Sequence, residues 1–220
     1  MTLQEYFKDW IDVIDVAELN KVISTINILY QSRPIVPKYS NIFKAFTLCT
    51  KKDCRVVFLG QDPYPQKGIA TGVLFGNKKD TIDISPSLQV IRDSVISLED
   101  NLMPSKSFDI TMESWAYQGI LMINSALTCE MNKVGSHVML WRPFLSKFIF
   151  NLSRSKRGIV YVLFGNQAQS FEPYIAKDNI VFTEKHPAFY SRIGKPMPHN
   201  IFYKINSTIN GEPIHWCTDF

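Results

Sequence analysis

The stretch that decides the fold reads VVFLGQDPY and occupies residues 56–64. Its first four residues form a continuous apolar run that ends at Gly60, and such a run is typical of a β-strand buried on both faces. Three more short apolar runs lie at residues 120–123, 159–164 and 180–183. The four runs predict buried strands. Buried helix segments are the alternative, which the shortness and the β-branched residues of the runs disfavour.

Helical patterns alternate with these runs. Leu88, Ile91, Val95 and Leu98, for example, recur at helical spacing and lie on one face of a helix. Helices are predicted at residues 3–14, 17–31, 87–98, 142–152, 166–176 and 200–209, with Asn166 as a candidate cap. The alternation of strands and helices predicts an α/β fold with a parallel central sheet.

The chain length of 220 residues fits one domain. No internal repeat, low-complexity tract or Gly/Ser linker interrupts the sequence. Residues 33–38 contain two prolines and separate an N-terminal helical region from the rest, which indicates a connection within one domain. We therefore expect a single domain over residues 1–220, with residues 1–32 packed on it.

Composition excludes several classes of protein. Hydrophobic residues make up 45% of the chain and charged residues 20%, which is ordinary for a globular protein. No apolar run approaches the roughly 18 residues of a membrane span, and the acidic start does not resemble a secretory signal. We therefore expect an intracellular protein without membrane contact. The four cysteines form no C-x-x-C pair, so we expect reduced thiols and no metal site.

Charge is distributed unevenly along the chain. Residues 1–32 carry a net charge of −3, whereas residues 133–204 hold eleven basic and three acidic side chains. A basic second half indicates a polyanionic partner, of which nucleic acid is the commonest. A solvated basic face without a partner explains the same numbers.

Polar residues follow each of the predicted strands. Because ligands bind at the carboxyl ends of strands in open α/β sheets, Asp62, Asn124, Asn166 and His186 are expected at one edge. Turn-forming residues alone could produce this pattern. No G-x-G-x-x-G follows the first run, and the phosphate-binding P-loop and the G-x-S-x-G elbow of serine hydrolases do not occur. Dinucleotide, P-loop and serine-hydrolase functions are therefore disfavoured.

A series of short motifs runs in order along the chain. The motif GQDPY at residues 60–64 resembles the water-activating motif of family 1 uracil-DNA glycosylases. Further matches follow in order: GVLF at 72–75, SPSL at 85–88, ESW at 113–115, QGILMIN at 118–124, LT at 127–128, SH at 136–137, FG at 164–165, HP at 186–187 and PIHW at 213–216, the last resembling a strand-like segment. Together they cover nearly the whole chain from about residue 33.

The resemblance implies a fold and a reaction. The family fold is a single α/β domain with a central four-stranded, mainly parallel sheet flanked by helices, with which the four apolar runs agree. The family flips uracil out of DNA and hydrolyses its N-glycosidic bond, leaving an abasic site and free uracil. It uses no metal and no organic cofactor.

The resemblance also assigns catalytic roles. Asp62 matches the aspartate that orients water and stabilises the cationic sugar. His186 matches the histidine that donates a hydrogen bond to uracil O2 as the base leaves as an anion. Without the other motifs, turn chemistry at Asp62 and a structural role for His186 would explain both residues.

Four residues match the uracil pocket of the family. Asn124 matches the residue that reads the base edge, Phe75 the aromatic that stacks on uracil, and Tyr64 the ring against uracil C5 that excludes thymine. The Gln61 backbone is expected to support this pocket. A strand-end turn at Asn124 and a core position for Phe75 are the structural alternatives.

DNA-contact residues are expected in small polar loops. Ser87 and Ser191 match phosphate-binding serines, although Ser87 also fits a helix cap. Tyr190 occupies the position of a leucine wedge, with Phe189 as a competing candidate one residue away. The sequence departs from the family at Pro65, where cellular members have histidine, and at Ala188, where they have serine; Pro65 leaves water placement beside Asp62 open.

Two other function classes fit parts of the sequence. A DNA-binding replication accessory module on the same fold is the first, and a glycosylase of neighbouring specificity is the second. A nucleotide hydrolase is disfavoured because carboxylate clusters and phosphate loops do not occur. We expect a monomer that binds uracil-containing DNA in the cytoplasm or the nucleus, according to the host. The sequence leaves open whether a protein inhibitor or a replication partner exists.

Overall fold

The structure is a computed structural model that describes residues 2–99 and 107–217. Within these ranges the predicted α/β fold is confirmed. The strands are β1 (Ile35–Val36), β2 (Val56–Gly60), β3 (Ile120–Asn124), β4 (Cys129–Glu130), β5 (Val160–Phe164) and β6 (Ile180–Glu184). The strands β3, β2, β5 and β6 lie side by side in that order and are all parallel, which makes the main sheet wholly rather than mainly parallel.

Helices cover the sheet. They are α1 (Leu3–Phe7), α2 (Val16–Ser32), α3 (Lys44–Leu48), α4 (Pro86–Glu99), α5 (Glu113–Tyr117), α6 (Val138–Ser155), α7 (Gly165–Gln169), α8 (Pro187–Ile193) and α9 (Asn200–Asn206). Short 3₁₀ helices lie at Lys8–Val13, Tyr39–Asn41 and Glu172–Tyr174. Among the described residues, no helix is both long and apolar enough to cross a membrane.

The central strand β2 shows why the sheet is buried on both sides. Val57 and Leu59 point into one hydrophobic core, and Val56 and Phe58 point into the other. Successive side chains of a strand alternate between faces, so a strand between two helical layers must be apolar throughout. This requirement explains the continuous apolar runs of the sequence.

Strand order places a crevice at the carboxyl ends. The chain leaves β2 toward β3 on one side of the sheet and leaves β5 toward β6 on the other. In open parallel sheets, ligands bind where neighbouring strands send their connections in opposite directions. That point lies between the ends of β2 and β5, where Gly60 and Phe164 end their strands.

The N-terminal region packs through apolar and charged contacts. Trp10 is buried and lies edge-on to Phe46, with ring centroids 5.6 Å apart. Asp12 pairs with Lys51 at 2.6 Å, and Asp15 pairs with Lys147 at 3.0 Å. The acidic residues of this region therefore neutralise lysines of the rest of the chain, a role that charge counting did not identify.

Two helix predictions need correction. The helix predicted at 3–14 is α1 followed by a 3₁₀ helix, since Lys8 at the junction has a φ of +49°. The helix predicted at 166–176 begins at Gly165 with Phe164 as its cap residue, so the assignment of Asn166 as cap was wrong. Pro173 lacks a backbone N–H, and the segment around it forms a 3₁₀ turn instead of continuing the α-helix.

Two further elements differ from the sequence interpretation. The antiparallel pair of β1 and β4 was not predicted, because two-residue strands carry no periodicity. The segment at 213–216 is not a strand. Its backbone N–H groups donate hydrogen bonds to side chains instead of to a neighbouring strand. Ile214 N–H donates to Asn206 Oδ1, and His215 N–H donates to Gln118 Oε1.

Candidate active site

Asp62 lies in the loop directly after β2, where its carboxylate meets a distant backbone amide. The Gly135 N–H donates to Oδ2 of Asp62. Burial raises the pKa of the Asp62 carboxyl, and the Gly135 bond opposes that rise because it favours the charged form. The carboxylate is therefore held in one orientation with one oxygen occupied by an amide.

The loop at residues 132–137 supplies this amide and is itself fixed. Gly135 has a φ of +79°, a conformation that glycine adopts without strain. At one end of the loop, Asn132 N–H donates to the Pro65 carbonyl at 3.0 Å. Near the other end, the Ser136 hydroxyl accepts from the Glu130 N–H at 2.8 Å. Sequence reasoning missed Gly135, and its only signal was the neighbouring SH motif.

A buried polar network anchors the same loop to α6. Trp141 Nε1–H donates to the Thr128 hydroxyl oxygen at 2.7 Å, and that hydroxyl lies 2.9 Å from Nδ1 of His137. The Thr128 hydroxyl thus joins the two rings in one chain of hydrogen bonds. All three side chains are buried, and burial lowers the pKa of His137. The network thus consists of neutral groups that fix the position of Gly135.

His186 is the cap residue of α8, and this position fixes its tautomer. Ala188 N–H donates to Nδ1 of His186 at 3.2 Å, so the proton of the neutral ring is on Nε2. Burial, and secondarily the charge of Arg192, lowers the pKa of His186 to about 4. The imidazole is therefore a neutral hydrogen-bond donor at physiological pH.

Phe75 lies beside this histidine and is hydrogen-bonded to Tyr64. The Phe75 ring lies edge-on to His186 and to Phe164, with centroid distances of 5.6 and 5.3 Å. Phe75 has a φ of +62°, a rare conformation for a bulky residue and one that marks functional sites. Tyr64 O–H donates to the Phe75 carbonyl at 3.3 Å, and burial raises the Tyr64 pKa. The two aromatic residues are therefore held together.

Asn124 ends β3 directly opposite Gly60 of β2. The side chain is buried, and its Oδ1 has no hydrogen-bond partner among the described residues. A Cβ on Gly60 would lie 2.8 Å from this oxygen and 2.4 Å from a methyl carbon of Leu74, so only glycine leaves room there. An unpaired buried acceptor costs free energy unless a ligand donates to it.

Gln61 contributes through its backbone. Its carbonyl accepts from the Ser125 hydroxyl and from the Ala126 N–H, both at 2.9 Å. These bonds tie the loop after β2 to the loop after β3. Asn166, in contrast, is exposed at the start of α7 and joins none of the contacts described above.

The predicted DNA-contact residues lie on α4 and α8, which pack against each other. Ser87 is buried in the first turn of α4, which begins at Pro86, so Ser87 is not its cap. Tyr190 and Ser191 of α8 line a small cleft of about 280 Å³ together with Pro86. Tyr190 O–H donates to a carboxylate oxygen of Glu184 at 2.7 Å.

The described residues offer no set of side chains that could bind a metal ion. Within residues 2–99 and 107–217, no group of three or more His, Cys, Asp or Glu side chains could hold a metal ion. Cys49, Cys54 and Cys129 are buried free thiols, of which Cys49 and Cys54 are neighbours. The groups at the sheet edge are thus a carboxylate, a neutral imidazole donor and an unpaired amide acceptor, a set that can activate water and bind a planar polar base.

A family model agrees with this geometry. The model described as the uracil DNA glycosylase superfamily matches residues 46–209. A uracil-DNA glycosylase of Campylobacter jejuni subsp. jejuni is 38% identical over 171 residues, which cover 77% of this chain and 72% of that protein. A uracil-DNA glycosylase of Leuconostoc citreum is 32% identical over 204 residues, which cover 90% of both.

Solved structures share the fold. A mimivirus UNG variant with tyrosine replaced by leucine, in complex with UGI, superposes with a TM-score of 0.81 and 24% identity, covering 98% of this chain and 91% of that one. The UNG of Nitratifractor salsuginis superposes with a TM-score of 0.69 and 18% identity, covering 92% of both chains.

Proposed function

The chain belongs to the uracil DNA glycosylase superfamily, and from this membership we propose which of its residues remove uracil from DNA. The reaction hydrolyses the bond between uracil and deoxyribose and leaves an abasic site. Positive charge grows on the sugar and negative charge on the base as the bond breaks. The site must therefore stabilise both charges and supply a water molecule.

Asp62 is the group that meets the positive charge. Its ionised carboxylate orients the attacking water and faces the cationic sugar. Burial raises the pKa of this carboxyl, and the Gly135 amide opposes that rise because it favours the anion that catalysis needs.

His186 is the group that meets the negative charge. Because Nδ1 accepts from the Ala188 amide, Nε2–H is free to donate to uracil O2 as the base departs. The low pKa keeps the ring neutral, so the donor is present throughout the physiological range without a cation in the pocket.

Asn124 is the residue that distinguishes uracil from cytosine. Its unpaired Oδ1 is suited to the N3–H of uracil, and its amide N–H group is suited to O4. Cytosine presents an acceptor at N3 and a donor at C4, which leaves both Asn124 groups unpaired at roughly 1–3 kcal/mol each. Phe75 stacks on the base, and Tyr64 closes the space that the methyl group of thymine requires.

DNA-backbone contacts follow from α4 and α8. Ser87 and Ser191 bind phosphates through their hydroxyls. Tyr190 fills the gap left by the flipped base, for which it must leave its hydrogen bond to Glu184. Phe189 is the competing wedge, and its ring lies 4.3 Å from the Lys185 ammonium.

We propose a monomer as the working unit. We place this monomer inside the cell, where cysteine thiols stay reduced. The replication-accessory role finds no support in the comparisons.

One assay tests the proposal. A uracil-containing oligonucleotide is incubated with the protein in EDTA, and the product is treated with alkali. Strand breaks at the uracil position are expected with the wild type and not with Asp62→Asn. Intact strands with the wild type, or equal breaks with the variant, would overturn the assignment of the site.

A further inference from the structure

A second cleft lies on the other side of the loop that joins the two pocket aromatics. The loop begins at Tyr64 and ends at Phe75, and its middle residues Lys67, Gly68 and Thr71 line a cleft of about 1220 Å³. We call it the lysine cleft, because Lys38, Lys44, Lys67, Lys78 and Lys79 line it. Tyr64 and Phe75 do not line this cleft. One loop is therefore a wall of two different spaces.

Four of the five lysines that line this cleft, Lys38, Lys67, Lys78 and Lys79, are unpaired among the described residues. All four are exposed, and within residues 2–99 and 107–217 their ammonium groups have no hydrogen-bond or ion-pair partner. Elsewhere, Lys51 and Lys147 are paired with acidic residues of the N-terminal region. The molecule thus neutralises other lysines but leaves these four available to an anion.

Two of the three acidic residues that line the same cleft already have hydrogen-bond or ion-pair partners. Glu113 pairs with Lys44 at 2.5 Å. Asp109 accepts from the backbone N–H groups of Thr111 and Ser114, both at 2.8 Å. Asp80 is the remaining carboxylate among the described lining residues, against four unpaired lysines.

An aromatic side chain stands beside these charges. Tyr117, at the end of α5, lines the cleft, is 66% exposed and has no ring partner among the described residues. Exposed aromatics next to a basic groove are the means by which proteins hold single-stranded nucleic acid, because unpaired bases stack on the ring. A duplex offers no such free base face.

We propose that the lysine cleft binds single-stranded DNA that flanks the uracil. The inference rests on the proposed function, since the strand would pass the loop between Tyr64 and Phe75 on leaving the pocket. Phosphates contact the lysines, and one base stacks on Tyr117. The volume exceeds the roughly 300–1,000 Å³ of small-molecule pockets, which favours a chain of nucleotides over a single metabolite.

Binding of a uracil-free 20-nucleotide single strand tests the cleft directly. The double variant Lys67→Ala/Lys78→Ala is compared with Lys177→Ala/Lys204→Ala, which removes two exposed lysines outside the cleft. The slope of log Kobs against log salt should fall by about 1.4 in the first variant, since each phosphate contact on a single strand contributes about 0.7. An equal change in both variants would overturn the proposal.

Stacking is tested with a second pair. Tyr117→Ala should weaken binding of the same strand by about fivefold or more, since base stacking contributes roughly 1–3 kcal/mol per base. Tyr203→Ala, which removes a ring that is 67% exposed, should leave binding unchanged. Equal binding by the two variants would remove Tyr117 from the proposal.

Excision assays separate this inference from the proposed function. Lys67→Ala/Lys78→Ala should excise normally from an oligonucleotide with one nucleotide on each side of uracil, and poorly at low concentration from a strand with long flanks. Substrates with uracil near the 5′ or the 3′ end should show the loss for one polarity only. A wild type that excises from neither substrate would refute the proposed function, whereas wild-type-like excision from long flanks by the variant would refute the cleft.

Discussion

Asp62 and His186 lie at the same sheet edge, and the proposed mechanism requires opposite charge states of them: an anion at Asp62 and a neutral ring at His186. Both side chains are largely buried, and burial disfavours charge on either. In the proposed mechanism Asp62 is charged, and its carboxylate accepts a hydrogen bond from the backbone N–H of Gly135, 73 residues away in sequence. In the same mechanism His186 is neutral, and its Nδ1 accepts from the backbone N–H of Ala188, two residues away. The comparison teaches that the charge of Asp62 depends on a hydrogen bond from a loop far away in sequence, whereas the tautomer of His186 is determined by the helix that His186 caps.

The largest effect is expected when the negative charge of Asp62, which the Gly135 amide stabilises, is removed. Asp62→Asn should reduce single-turnover excision by about 10²-fold or more while DNA binding is largely retained, because the amide neither orients water nor offsets the sugar cation. Asp178→Asn, at an exposed site, is the control. Near-normal excision by Asp62→Asn would place the catalytic carboxylate elsewhere.

Removal of the locally held donor should have the next largest effect. His186→Ala should lower excision by about 10²-fold, the loss typical of one oxyanion donor. Because the pKa of His186 is about 4, the wild-type pH profile should show no loss from its protonation between pH 5 and 8. His215→Ala, at an exposed histidine, should match the wild type. An acid limb near pH 6.5 that disappears in His186→Ala would contradict the neutral imidazole.

Asn124 extends the comparison to a group that carries no charge at all. Asn124→Asp should lower uracil excision by about 10-fold or more, because the amide donor to O4 is lost. When protonated, the new carboxyl can donate to cytosine N3, so weak cytosine release should become measurable. Product analysis on matched uracil and cytosine oligonucleotides decides the point, and an unchanged uracil rate would show that Asn124 does not read the base.

The α8 aromatics test whether the local helix does more than hold His186. Tyr190→Ala should slow excision from duplex DNA by about tenfold, consistent with a lost base stack, and should affect single strands less. Tyr190→Phe keeps the ring but breaks the bond to Glu184, so it should retain the duplex rate. If Phe189→Ala alone shows the duplex-selective loss, the wedge is one residue earlier, and if neither does, no aromatic wedge operates.

The smallest effect is expected from changes in the buried network of Thr128, His137 and Trp141, which holds the loop of Gly135. Thr128→Val removes the hydroxyl between His137 and Trp141 and should lower excision severalfold. The weaker Gly135 bond leaves burial to raise the Asp62 pKa further, so the acid limb of the rate should move to higher pH. Thr25→Val, on the exposed face of α2, should leave the limb in place. A drop in stability without that shift would mean that the network is only structural.

Features that depend on local pattern could be predicted from the sequence. Continuous apolar runs predicted the main strands, which the structure confirms. The residues after these runs made Asp62, Asn124 and His186 candidates for the site, because parallel strands end at one edge, and their roles stay predictions. Gly135 was missed since its role depends on a bond between loops far apart in sequence. The pair of β1 and β4 was missed because two residues show no period, and Asn166 was misjudged because Gly165 already starts the helix.

The ion pairs of the N-terminal region have a consequence for how the molecule travels on DNA. A protein that slides and hops along a polyanion is guided by whichever lysines are uncompensated. Asp12 and Asp15 act as built-in counterions for Lys51 and Lys147, so that face offers DNA little to hold. The lysines without such counterions, among them Lys67 and Lys78 of the lysine cleft, are then the groups through which a polyanion orients the molecule.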